Sequence, residues 1–65
     1  MDMIPVDSAA VSAIGYQGGV LGLKWNSGKT SYHPGVPESV YLGLMQAESK
    51  GRFIAQHIRK QFPAK

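Results

Sequence analysis

The sequence predicts an α+β domain, a three-stranded antiparallel β-meander followed by two α-helices packed on one face of the sheet. Three observations carry that prediction. Up to His33 the apolar residues alternate at period two, in short runs joined by glycine-containing connections. From Val40 onward they recur at helical spacing instead. A chain of 65 residues has room for one domain only, so residues 1–65 are read as a single unit.

Residues 9 to 16 (Ala-Ala-Val-Ser-Ala-Ile-Gly-Tyr) form the first expected strand, with Ile14 and Tyr16 on one face. Gln17-Gly18-Gly19 is a turn, because glycine enters positive φ without a Cβ clash. Val20 to Asn26 alternates cleanly, placing Leu21, Leu23 and Trp25 toward the core and Gly22, Lys24 and Asn26 away from it. Ser27-Gly28 is a hairpin connection into a third strand, Lys29 to His33, which Pro34-Gly35 ends. On that strand His33 is expected on an exposed face shared with Ser31, and Tyr32 on the other face.

Pro37 suits the first position of a helix, and Glu38 suits its positive end. Val40, Tyr41, Leu44, Met45 and Ala47 make the apolar stripe, and Leu42 lies opposite, free for an extra contact. Ser49 is the expected N-cap of a second helix, roughly Lys50 to Phe62, whose buried stripe is Phe53, Ile54, Ile58 and Phe62 with His57 at its border. At about 100° per residue, Arg52, Gln56, Arg59 and Lys60 share the opposite face. The two ends, Met1 to Pro5 and Pro63 to Lys65, are expected to be loose.

Charge is segregated along the chain. Ser49 to Lys65 holds five bases and no acid, whereas all four acids lie earlier, opposed only by Lys24 and Lys29. The formal net charge is +3. An uncompensated basic face points to a polyanion, nucleic acid first among them. The absence of cysteine excludes disulfides and thiolate chemistry, and two distant histidines do not make a metal site, so no cofactor or metal is expected. Gly28-Lys29-Thr30 lacks the upstream glycine of a phosphate loop, since Leu23 stands there, and no other local motif points to an enzyme. Neither a signal segment nor a membrane-length apolar run is visible, which leads to the expectation of a soluble cytoplasmic protein.

Gly35-Val-Pro-Glu-Ser-Val-Tyr41, Ala47-Glu-Ser-Lys-Gly-Arg-Phe53 and His57-Ile-Arg59 resemble the KTSC domain family, and the similarity runs from Ile4 through Phe62. That family is named for the C-terminus of some lysyl-tRNA synthetases and includes free-standing bacterial and phage proteins. The resemblance implies a small domain for which RNA binding has been suggested. The family's Tyr-x-Tyr pair is replaced here by Ser31-Tyr32-His33, leaving His33 as the planar ring at a matching position. The expectation is a non-enzymatic module for RNA or single-stranded nucleic acid, with Lys29, His33, Lys50, Arg52, Gln56, Arg59 and Lys60 as binding residues. The alternative is a protein-interaction module, a phage-type modulator of a host protein or a small homodimer, since so short a chain buries only about 60% of its unfolded surface.

Overall fold

The structure, a computed structural model, describes residues 1–64. Lys65, counted above among the bases and the loose tail, lies outside the described residues. The chain builds a four-stranded antiparallel sheet in the order β1-β2-β3-β4, followed by two helices. The strands are β1 (Ile4–Pro5), β2 (Val11–Gln17), β3 (Val20–Trp25) and β4 (Thr30–His33). The expected meander is β2-β3-β4, and the fourth strand corrects the expectation of a loose N-terminal segment. Ile4 faces Ile14 and Pro5 faces Ala13 across the ladder, and the Val6 N–H donates to the Ser12 carbonyl at 3.0 Å. Two residues are too few to show a period, and a proline lowers strand propensity. Proline is nevertheless tolerated at a sheet edge, where its missing N–H deprives no neighbour.

The Gln17–Val20 connection is a two-residue turn in which Gly18 and Gly19 have φ of 58° and 80°. Positive φ at both central positions matches the twist of the strands, and only glycine takes both without strain. The resulting register puts Tyr16 opposite Leu21 and Ile14 opposite Leu23, so these four side chains share the face that the helices cover. Val11, Ile14, Leu21 and Leu23 of the sheet are fully buried against Val36, Leu44, Ile54 and Ile58. On the other face Gly15 lies opposite Gly22. A Cβ on Gly22 would come within 2.7 Å of both the Met1 Sδ and the Met3 Cε. The bare backbone there is a trough that the N-terminal methionines fill.

Helix α1 (Glu38–Gln46) starts one residue later than the proline rule suggested, with Pro37 as N-cap. Its Tyr41 ring stacks on Tyr16 with centroids 4.8 Å apart and planes 8° from parallel, and the Tyr16 hydroxyl donates to the Val36 carbonyl. Helix α2 opens as expected at Ser49, whose hydroxyl accepts from the Arg52 N–H. It is not a uniform α-helix. It runs as an α turn (Lys50–Phe53), a π-helical turn (Ile54–Ile58) and a last α turn (Arg59–Gln61). The Arg59 N–H bonds to the Ile54 carbonyl, five residues back. A turn wide by one residue makes everything after it lag by about 100° relative to a regular helix. No helix among the described residues is long and apolar enough to cross a membrane.

Candidate functional site

Trp25 ends β3 where the helical cover runs out, and this is where the sheet, the β3–β4 hairpin and the last turn of α2 meet. Two clefts share it. The larger, about 460 Å³, opens between Ala9 and Ala10 on one side and Asn26, Ser27 and Lys29 on the other, while the smaller, about 240 Å³, is bounded by Ser31, His33 and Pro63. Arg59 borders both, with its guanidinium carbon 5.6 Å from the centre of the Trp25 ring. That is cation–π distance. The π turn explains the contact. In a regular helix Arg59 would point outward with Arg52 and Gln56, but the lag of about 100° carries it off that stripe and over the indole.

Beneath the indole lies a chain of hydrogen bonds. Trp25 Nε1–H donates to Ser31 Oγ at 2.9 Å, Ser31 Oγ lies 3.0 Å from His33 Nε2, and His33 Nδ1 lies 2.7 Å from the Phe62 carbonyl. A carbonyl can only accept, so Nδ1 carries a proton, and in the neutral ring Nε2 then accepts from the Ser31 hydroxyl. Every polar atom of the chain then has a partner, and no buried side-chain nitrogen or oxygen among the described residues lacks one. The last residue of the family-like region is thereby tied to β4.

The KTSC domain profile matches residues 7–62. The chain belongs to the KTSC domain family. A protein of Tsukamurella paurometabola is 38% identical over 64 residues, covering 95% of this chain and 96% of its own length. The crystal structure of a KTSC domain protein from Yersinia pestis superposes with a TM-score of 0.91 at 32% identity, covering 98% of this chain and 93% of that one.

In this KTSC domain the sequence-expected residues divide into groups. Lys29 and Arg59 come together in the larger cleft, which no carboxylate among the described residues lines. Arg52, Gln56 and Lys60 are exposed on α2 and remain on its outer stripe. Lys50 is half-buried, and its Nζ donates to the Ala47 carbonyl at 3.3 Å, so it caps the end of α1. It also borders an adjoining cleft, which shares Ala9 and Ala10 with the larger one and holds Asp7 and Glu48, so its charge is not unopposed.

His33 corrects the expectation of an exposed ring, being 3% exposed. It lies opposite Leu21, and Ser31 lies opposite Leu23, so both positions of the altered Tyr-x-Tyr pair face the helices. A two-residue Ser27-Gly28 connection would set Gly22 opposite His33, but the Trp25 N–H bonds to the Lys29 carbonyl, so the loop is one residue longer and the register shift turns His33 inward. Tyr32, expected on the face opposite the exposed one, is itself the exposed residue, on the glycine-trough side, so the two faces of this strand are exchanged relative to the expectation. Trp25, expected in the core, is instead half-buried at its margin. Among the described residues no three His, Asp or Glu side chains gather closely enough to hold a metal ion.

Proposed function

We propose that this domain binds RNA or single-stranded nucleic acid through its phosphate backbone and performs no catalysis. The observation that carries the reading is the convergence of Lys29 and Arg59, from the two halves of the chain, on one cleft that no Asp or Glu among the described residues lines. Arg grips phosphate bidentately and Lys acts as a point charge, so the pair suits two neighbouring phosphates. Arg52, Gln56 and Lys60 extend the polar, basic surface along α2. Lys50 is left out of the binding set because it is tied to the Ala47 carbonyl in a cleft shared with Asp7 and Glu48, and His33 because it is buried and bonded on both ring nitrogens.

Titration with tRNA and with single-stranded oligonucleotides over a range of salt tests this. Affinity should fall as salt rises, with about 0.7 unit of log–log slope per neutralised phosphate. A Lys29→Glu/Arg59→Glu double variant that keeps its circular dichroism should lose the binding. Absence of salt-sensitive binding at low ionic strength shows the reading to be wrong. A second reading, a protein-interaction module, is favoured by Leu42, 49% exposed on α1. Its sign would be a stoichiometric protein partner that survives nuclease treatment and is lost on Leu42→Asp.

A further inference from the structure

We infer that the face of Trp25 is a stacking platform for an unpaired base, and that Arg59 holds its place in the free protein. This rests on the nucleic-acid reading above and names the ligand more closely: an unpaired nucleotide rather than a duplex.

The indole is locked at its edge and not at its face. Its N–H is fixed by Ser31, and Ser31 is held in turn by the buried His33. The ring plane is therefore set before any ligand arrives, which lowers the ordering cost of binding. Over the face sits the guanidinium of Arg59, an exposed side chain at the end of a helix. A guanidinium and a nucleobase are both flat groups that stack on aromatic rings, so the one can stand in for the other.

Magnitudes decide which group stays. An exposed cation–π contact corresponds to only about a two- to fivefold effect on an equilibrium. Stacking of a base on an aromatic ring corresponds to about five- to 150-fold. A base therefore displaces the guanidinium, and Arg59, released but still tethered beside the cleft, takes a flanking phosphate opposite Lys29. The larger cleft, at about 460 Å³, is within the size range of small-ligand sites. Tyr16 stacks on Tyr41 and Phe53 tilts against His57, and the exposed Tyr32 lies on the glycine-trough face of the sheet, away from Lys29 and Arg59. Paired bases have their faces covered within the duplex stack and cannot make the exchange.

The chain has a single tryptophan, so its fluorescence reports this site alone. Binding is read by the anisotropy of a labelled oligomer and stacking by Trp25 quenching, in the same titration. The probes are single-stranded oligoadenylate RNA, an abasic ribose-phosphate oligomer of equal length, and an RNA duplex. The expected result is binding with quenching for the oligoadenylate, with the abasic chain five- to 150-fold weaker and not quenching. Trp25→Phe should keep most of the affinity that Trp25→Leu loses, because the smaller ring still offers a π face. Oligoadenylate binding without quenching, or equal affinity for the abasic chain, overturns the platform and leaves the nucleic-acid reading standing. No binding of any probe overturns both. The comparison of probes on the unaltered protein needs no variant to fold.

Discussion

Ser31→Ala is the sharpest test of how this small domain holds together. The substitution removes one hydroxyl from the middle of the Trp25–Ser31–His33–Phe62 chain and leaves two groups without partners. His33 is 3% exposed, and an orphaned buried acceptor costs about 1–3 kcal/mol. The Trp25 N–H sits at the margin of the core, and its lost bond adds about 0.5–1.5 kcal/mol. The expected loss is thus about 1.5–4.5 kcal/mol, from a total that a chain of 65 residues holds at roughly 3–10 kcal/mol. At roughly 4–8 °C per kcal/mol for a domain this size, the melting temperature falls by at least about 6 °C. Urea unfolding followed by far-ultraviolet circular dichroism measures the change independently of the indole's own altered environment. The same substitution in a His33→Phe background should cost only the Trp25 share, because no imidazole is left to orphan. The coupling should therefore be about 1–3 kcal/mol. A loss below about 0.5 kcal/mol, or an equal loss in both backgrounds, refutes the reasoning.

Three further outcomes are expected. Ile58→Ala, at a side chain with no exposed surface, should cost about 2–5 kcal/mol and leave the domain near its unfolding threshold, read as the urea midpoint. Gly15→Ala should destabilise more than Gly22→Ala. The new methyl at Gly15 meets the Asp2 backbone oxygen at 2.9 Å, whereas at Gly22 it meets only the movable ends of two methionines. Equal losses in thermal melts would contradict that ordering. Deleting Ala55, an exposed residue of the π turn, should restore a regular α-helix while leaving Arg59 over Trp25 and stability undiminished. An unfolded product, or a lower urea midpoint than the unaltered domain, would show that the wide turn is required.

The parts of the fold that could be read in advance are those where burial repeats with a fixed period. Leu21 and Leu23 alternate with Gly22 and Lys24, and the glycine pair after Gln17 marks its turn, so β2, β3 and β4 were visible. So were the Ser49 cap and the Leu44, Ile54 and Ile58 core positions. What escaped lacks a period or breaks one. Ile4-Pro5 is too short to alternate. The π turn is invisible to any reading that assumes 100° per residue, so Arg59 was placed with Arg52 rather than on Trp25. His33 looked like a surface residue because it is polar, yet a buried polar ring is stable once both nitrogens are bonded, and its partners Ser31 and Phe62 are set by tertiary structure. The candidate site was accordingly half legible. Lys29 and Arg59 were named, but the tryptophan that joins them was assigned to the core.

The bond from His33 to Phe62 spans 29 positions, and both helices lie inside the loop it closes. The strand half and the helix half of the chain might otherwise have opened separately, each with its own protection against solvent. With the latch in place α2 cannot lift from the sheet without releasing β4. Amide hydrogen exchange should accordingly find the two elements opening together, as one cooperative unit.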